Sequence, residues 1–446
     1  MLEKIFKLKE RNATVKKEII GGLTTFLTMA YILGVNPGML SEAGMPFQSV
    51  FLATALSSAI ACIIMGVFAN YPVALSAGMG VNAFFTYSVC LQMGFTYPEA
   101  LAAVFVSGVI FLVISVTGIR KTVINSIPKN LKLAIGAGIG FFIAFIGLTN
   151  AGIIVSDPAT KVALGDFTNP TVALALFGVL LIVLLMCRKV EAATFYGMLA
   201  TAILGLVLGF VGVSGMPAMP TSVMSVDFTF TTVGEFVGGF KTLFTRPESF
   251  MIIFTFLFID FFDTAGTLVA VGNDVGMVDE HGDMDNIDKA LFADSVGTLV
   301  GASLGTSTIT SFVESGAGVA AGGKTGLTAV VTGVLFFASI FFMPLLSVVN
   351  SIPVGDAFLS PITSPALITV GFLMITQLKS IDWDDTAVSS SAFITIIIMV
   401  TSYSIANGIA CGFLVYTVAM IASNRIKQVR PITYVLDALF LMHFIL

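Results

Sequence analysis

Long apolar stretches alternate with short polar ones along nearly the whole chain. The apolar core of a lipid bilayer requires about 20 residues per helix. Uninterrupted stretches predict helical crossings at 19–37, 47–69, 98–118, 131–152, 170–187, 192–213, 249–272, 288–304, 326–349, 360–378, 386–402 and 407–423. Two further stretches, 74–90 and 305–322, are broken by glycines and polar residues, and this makes them too irregular for a helix that faces lipid.

Lysines and arginines indicate the direction of the crossings, because cytoplasmic loops collect them. If both broken stretches also cross, all of the 21 lysines and arginines except Lys161, Lys241 and Arg246 fall on one side. We therefore predict fourteen crossings of the cell (inner or plasma) membrane, with both termini cytoplasmic. The N-terminal segment 1–18 is then cytoplasmic, and the apolar tail 424–446 is cytoplasmic or interfacial.

Composition supports a membrane protein and argues against several other classes. The chain is 57% hydrophobic and 11% charged, whereas soluble domains carry about 25% charged residues. No basic excess suggests nucleic acid as a partner, and no cysteine spacing suggests a metal site or a disulfide framework. The two histidines, His281 and His443, fall in a loop and in the tail. We therefore expect no enzyme activity and no cofactor.

The fourteen crossings divide into two halves, 19–213 and 249–423, joined by a connection at 214–248 on the outer side. Seven crossings is an odd number, so the second half is inverted relative to the first. Within the connection, 233–244 is expected to form an interfacial helix. In each half the third crossing is the broken one, and matching interrupted segments indicate the binding site in transporters built from repeats.

Three carboxylates occupy apolar surroundings, where a charge is costly and therefore suggests function. Asp260 and Asp263 are three residues apart and share one helix face. Glu314 lies in the second broken crossing. We predict that they bind substrate or protons, with Asp263 in a supporting role. The alternative is that they cap a broken partner helix.

Other site candidates surround the broken crossings. Asn82 can donate and accept hydrogen bonds, and neighbouring glycines permit close backbone approach. Ser311, in the polar stretch before Glu314, is a further substrate-binding candidate. Phe84 and Phe312 are candidates to stack on a planar ligand. Thr28, in the first span, is a weaker candidate because threonines often bond to their own helix.

Two other patterns resemble ligand-binding motifs, but we do not interpret either of them as a binding site. Residues 318–325 fit the phosphate-loop pattern, but a broken span precedes them and an apolar helix follows, so we do not predict nucleotide binding. The acidic stretch 274–288 lacks the regular ligand spacing of a calcium loop. We interpret it as a solvated loop.

Four segments together resemble a known family. They are 21–37, 76–85, 260–267 and 306–318, and the resemblance extends from about Lys16 to the tail. The chain resembles the nucleobase–ascorbate transporter group, specifically its AzgA-like branch of adenine, guanine and hypoxanthine permeases.

The resemblance implies an all-α membrane protein of fourteen spans in two inverted seven-span repeats, with core and gate domains. Short extended stretches are expected in the third and tenth spans. It also implies proton symport of a purine nucleobase by alternating access. Asp260, Glu314 and Asn82 would contact the purine, Asp263 would support them, and Glu314 or Asp260 would carry the proton. A homodimer is expected by analogy.

Two rival functions remain open from the sequence. An anion transporter or channel can use the same architecture, although no cationic residue lies at 76–88 or 305–318. A nucleobase facilitator that is independent of protons is the closer rival.

Overall fold

The fold was analysed in a computed structural model, which describes residues 2–117, 128–220, 222–226, 228–277, 286–355 and 357–445. Most of the predicted acidic loop, including His281, and the cationic pair Arg120 and Lys121 lie outside the described residues. The described chain is mainly helical, with three short two-stranded ladders.

The first half alternates helices with three strands. Its elements are α1 (Leu2–Phe6), α2 (Val15–Met29), α3 (Ile32–Glu42), α4 (Phe47–Ile64) with a π-helical end (Met65–Ala69), β1 (Leu75–Ala77), α5 (Met79–Ala83) with a π-helical continuation (Phe84–Gln92), α6 (Tyr97–Thr117), α7 (Lys129–Asn150), β2 (Ile154–Asp157), β3 (Lys161–Leu164), α8 (Pro170–Cys187) and α9 (Ala193–Phe210).

The second half follows a connecting helix. Its elements are α10 (Glu235–Leu243), α11 (Glu248–Asp274), α12 (Ile287–Leu304), β4 (Ile309–Ser311), α13 (Ser315–Ala320), α14 (Gly326–Ser339) with a 3-10 end (Ile340–Val349), β5 (Ile352–Val354), β6 (Ala357–Leu359), α15 (Ser364–Ile375) with a 3-10 end (Thr376–Ser380), α16 (Thr386–Thr401), α17 (Ile405–Ala422), a 3-10 turn (Ile426–Gln428) and α18 (Pro431–Ile445). The second half repeats the order of the helices and of the broken segment, but its strand pair β5–β6 comes one crossing earlier than β2–β3 does in the first half.

Each predicted crossing coincides with a helix or a broken segment of this series. The predicted span 47–69 is the helix Phe47–Ala69, and 170–187 is α8. Within the described residues, nine helices are long and apolar enough to cross a membrane. The two broken stretches each contain a strand followed by a short helix, as predicted. The number of fourteen crossings stays a prediction.

The helices pack into two groups. The core group contains α2–α6 and α11–α14, and the gate group contains α7–α9 and α15–α17. In the core group, α14 packs on α2 and α4, while α6 packs on α12. In the gate group, α7 packs on α15 and α16. The first four predicted crossings of each half thus form the core, and the last three form the gate.

Small residues allow the core helices to approach closely. A Cβ atom added at Gly326 would lie 2.0 Å from the carbonyl oxygen of Gly66, so α4 and α14 touch through their backbones. Any larger side chain at either position would force these two helices apart. The contact fixes the end of the bundle where α2 begins, which we call the N-terminal end.

At the N-terminal end, the buried carboxylate of Glu18 caps the start of α14. It accepts hydrogen bonds from the backbone amides of Lys324 (2.9 Å), Thr325 (3.2 Å) and Thr328 (3.2 Å), and from the Thr328 hydroxyl (2.7 Å). A helix N-terminus carries free amides and a partial positive charge, which favour an anion. The phosphate-loop pattern 318–325 therefore leads into a helix start whose amides bind an internal carboxylate.

Replacing this cap should destabilise the protein. Glu18→Ala removes the charged acceptor of the Lys324 and Thr325 amides, while the Thr328 amide keeps the Thr325 carbonyl oxygen at 3.1 Å. Hydrogen bonds to charged groups contribute about 1.5–3 kcal/mol each. For a chain of 446 residues, the melting temperature changes by about 1 °C per kcal/mol, so we expect that of the purified protein in detergent to fall by about 3–6 °C.

Glu10→Ala is the matched control, because Glu10 forms an ion pair with Lys7 at 3.2 Å and both side chains are exposed. Exposed pairs contribute at most about 1 kcal/mol. Equal melting temperatures for the Glu18 variant and the wild type would contradict the assignment of Glu18 as a cap.

Candidate functional site

The two broken segments meet in the middle of the core group. β1 and β4 pair antiparallel, with Leu75 opposite Ser311 and Ala77 opposite Ile309. The ladder continues at both ends through hydrogen bonds from Gly78 N to Thr308 O (3.1 Å) and from Phe312 N to Ala74 O (3.0 Å).

Each strand leads into a short helix. Because the strands are antiparallel, α5 and α13 start at opposite ends of the ladder and run in opposite directions. Their first amides therefore remain near the centre of the core group.

Glu314 immediately precedes α13 and is held by the first predicted span. The hydroxyl of Tyr31 donates a hydrogen bond of 2.6 Å to Glu314 Oε1. The Thr28 hydroxyl lies 3.4 Å from the Glu314 carbonyl oxygen, and its shorter contact, 2.8 Å, is to Thr25 O within its own helix. The chain turns between α2 and α3 at Ala30 and Tyr31, which places the Tyr31 hydroxyl beside the carboxylate.

Asp263 faces the same space as Glu314. Its side chain is exposed and that of Glu314 is partly exposed. The two carboxylates interact electrostatically. Open space adjoins this region, since within the described chain a Cβ atom added at Gly266 or Gly316 would meet nothing within 4 Å. Asp263, predicted only as a support, is thus the aspartate of α11 that lies in the cavity.

Asp260 lies behind the strand β4 and is 1% exposed. Thr298 Oγ1 donates to its Oδ2 at 3.0 Å, while no donor in the described chain reaches its Oδ1. The neighbouring carboxyl group is that of Asp294 in α12, which is fully buried. Thr264 Oγ1 donates to Asp294 Oδ1 at 2.9 Å, and Asp294 Oδ2 has no donor among the residues that the structure describes.

The two threonines connect this pair of carboxyl groups to β4. Thr298 Oγ1 accepts from Ile309 N (3.2 Å), and Thr264 Oγ1 accepts from Ser311 N (3.1 Å). Each aspartate therefore accepts a hydrogen bond from a threonine of the other helix, α11 or α12. Each threonine in turn accepts a hydrogen bond from a backbone amide of β4. A proton shared between the two carboxyl groups would satisfy both oxygens that lack a donor.

Asn82 joins α5 to the loop before β4. Its Oδ1 accepts a hydrogen bond from the Ser307 hydroxyl, while its Nδ2 has no acceptor in the described chain. Asn82 is fully buried. Its free amide hydrogens are therefore available to a ligand or a water molecule beside the ladder.

The aromatic candidates occupy different environments. Phe84 is fully buried and packs edge-on against Phe256, with the ring centres 4.9 Å apart. Phe312 is 6% exposed. It directly follows β4 and lies two residues before the partly exposed Glu314. Phe312 is therefore closer to the cavity, and Phe84 belongs to the packed core.

Sequence reasoning missed Asp294 and Tyr31. Asp294 lies inside a predicted span, so the rule that drew attention to Asp260 would also have found it. Tyr31 gave no such signal, because a tyrosine in an apolar helix is common. Only the turn between α2 and α3 brings its hydroxyl to Glu314.

Comparison with solved structures identifies the fold. The transmembrane domain of a cyanobacterium bicarbonate transporter, BicA, superposes with a TM-score of 0.58 at 13% identity, covering 92% of this chain and 97% of that one. The murine anion transporter Slc26a9 gives a TM-score of 0.62 at 12% identity, covering 92% of this chain and 68% of that one. The shared fold consists of two inverted repeats of seven segments.

Sequence comparison is more specific. A guanine/hypoxanthine permease, PbuG of Bacillus subtilis, is 46% identical over 454 residues, which cover 100% of this chain and 99% of the relative. An adenine permease, AdeP of Escherichia coli, is 39% identical and covers 100% of this chain and 96% of the relative. The family Xan_ur_permease, described as a permease family, matches residues 16–411. The chain therefore belongs to this permease family.

Proposed function

We propose that the protein imports purine nucleobases across the cell membrane by proton symport with alternating access. The relatives named as guanine/hypoxanthine and adenine permeases support the substrate class. The observation that carries the proposal is the pair of interacting carboxylates, Asp263 and Glu314, which lie beside two half-helices and are exposed or partly exposed. A purine presents ring and exocyclic N–H groups to carboxylates, and its ring nitrogens and any carbonyl oxygen accept from amides.

The orientation follows from the charges. The N-terminal end carries the cationic segment 1–18, and we propose that it faces the cytoplasm together with the C-terminal tail. Repeats 19–213 and 249–423 then cross in opposite senses, with 214–248 on the outer side. Asp263 lies one turn nearer than Asp260 to the C-terminal end of α11. The chain just after that end lies beside the N-terminal segment, since Arg11 Nη1 contacts Met277 Sδ at 3.2 Å. We infer that the open space beside Asp263 faces inward.

In this proposal the carboxyl pair of Asp260 and Asp294 holds the coupling proton. Two adjacent buried carboxyl groups are strongly disfavoured in the doubly charged form, so the pair retains a proton until the surroundings change. The bonds through Thr298 and Thr264 transmit its state to β4. Because β4 leads to Glu314, proton occupancy and substrate binding act on the same strand.

Contacts of the substrate with the cavity carboxylates should dominate its apparent affinity. We expect Asp263→Asn and Glu314→Gln each to raise the KM for purine uptake by about 10- to 100-fold, as loss of one charge-assisted hydrogen bond predicts. Uptake of labelled adenine, guanine, hypoxanthine and uracil is measured in cells lacking their own permeases.

Asp384→Asn serves as the control, because Asp384 is exposed in the loop before α16. A wild-type KM in both cavity variants would refute the site. Uptake of none of the bases by protein shown to reach the membrane would refute the purine assignment. Uptake of bicarbonate or sulfate instead would favour an anion transporter of the same fold.

Coupling should depend on Asp294. We expect Asp294→Asn to exchange labelled purine across the membrane but to lose concentrative uptake, with an accumulation ratio near one. Wild-type accumulation should collapse with a protonophore. The matched control is Asp274→Asn, an exposed carboxylate at the end of α11. Wild-type uptake that is insensitive to the protonophore would instead identify a facilitator.

A further inference from the structure

Three polar side chains close a hydrogen-bonded ring at the end of the bundle opposite the N-terminal end. Tyr87 Oη donates to Glu42 Oε1 at 3.0 Å, and Asn150 Nδ2 lies 3.0 Å from Glu42 Oε1 and 3.1 Å from Tyr87 Oη. Glu42 is the last residue of α3, eleven residues after Tyr31. The ring therefore lies about 16 Å along the helix from the contact between Tyr31 and Glu314.

The ring joins the two helix groups. Glu42 and Tyr87 belong to the core group, whereas Asn150 ends α7 in the gate group. The second half of the gate reaches the same point, because Ser360 N donates to Asn150 O at 2.8 Å. A narrow cavity at this junction is lined from both groups, by Gly38 and Met39 on one side and Thr363 on the other.

A second contact between the groups supports the ring. Gln92 Nε2, at the end of the core's π-helical segment, donates to Ser402 O at 3.0 Å in the turn between α16 and α17. The next residue, Tyr403, packs edge-on against Tyr87 with the ring centres 6.0 Å apart, and against Phe142 at 5.3 Å. The interface is therefore closed at this end by polar and aromatic contacts together.

The central site, by contrast, lies beside open space. Asp263 is exposed, Glu314 is partly exposed, and in the described chain nothing lies within 4 Å of a Cβ atom added at Gly266 or Gly316. In one conformation, a closed contact between core and gate thus accompanies open space beside the central site. In an alternating-access cycle, the contact that closes one side has this relation to a site that is open to the other side.

We propose that Glu42, Tyr87 and Asn150 form a latch that holds core and gate together at the outer end while the central site is open to the inside. The proposal rests on the proposed function for its role in transport. The three described donors and acceptors are a carboxylate, a phenol and an amide, and water can replace each bond when the interface parts. Such exchange shifts an equilibrium by only about two- to tenfold per bond, so the latch can open in every cycle.

The test measures access to two reporter cysteines and does not require transport. Cys187 and Cys411 are replaced by serine, while the buried Cys62 and Cys90 remain. Gly38→Cys then reports the outer cavity and Gly266→Cys the inner one, because an added Cβ meets nothing within 4 Å at either position. Maleimide labelling rates are measured on purified protein in lipid nanodiscs, without substrate.

Loss of the latch should move the protein toward the outward-open state. We expect Tyr87→Phe, Asn150→Ala and Glu42→Gln each to raise the labelling rate of the cysteine at 38 by about three- to tenfold and to lower that at 266. Tyr196→Phe and Glu191→Gln remove the same groups from exposed positions, and they should change neither rate.

Two outcomes would overturn the latch. One is unchanged labelling at both reporters in all three variants. The other is a rise at both reporters together, which indicates general loosening. Tyr87→Phe removes only the hydroxyl and keeps the packing of the aromatic side chain. Its labelling rates therefore test the latch even if another variant fails to fold. If the wild-type protein takes up no purine but the latch variants still shift the two labelling rates, the proposed substrate is overturned and the latch is not.

Discussion

The antiparallel pairing of β1 with β4 is the contact on which the central site depends. Inside a membrane every backbone amide and carbonyl needs a partner within the protein, and a strand cannot supply its own. Each broken segment therefore needs the other, and the two halves of the chain are joined at Leu75–Ala77 and Ile309–Ser311. This pairing leaves α5 and α13 short, with their first amides close to the cavity.

The strand β4 also connects Glu314 with the buried carboxyl pair of Asp260 and Asp294. Glu314 follows β4 in the chain and faces the cavity, while Asp260 and Asp294 lie behind β4 and reach it through threonine hydroxyls. In the proposed mechanism, a change of charge behind the strand would alter hydrogen bonds to the backbone that positions Glu314. Coupling between the two places would then need no long pathway, because a three-residue strand separates them.

Much of this arrangement could be predicted from the sequence. Hydrophobic length located the helices, as at Phe47–Ala69, and the glycine-rich interruptions located both broken segments. The spacing of Asp260 and Asp263 placed them on one helix face, but it could not show which of them faces the cavity. That depends on how α11 packs against α12 and β4, and it places Asp260 inside and Asp263 outside. Tyr31 and Glu18 likewise act on partners about 280 to 310 residues away in the chain, which no local pattern reveals.

The carboxylates also differ in how the fold compensates their charge, and this difference follows their place in the structure. Glu18 receives four donors at a helix N-terminus and is fixed, so it suits a structural cap. Asp260 and Asp294 each receive one hydroxyl and retain an oxygen without a donor, which a proton can satisfy. Asp263 and Glu314 lie next to open space. In the proposed mechanism, compensation by fixed amides, by a proton or by a ligand would thus separate three roles among residues that are chemically alike.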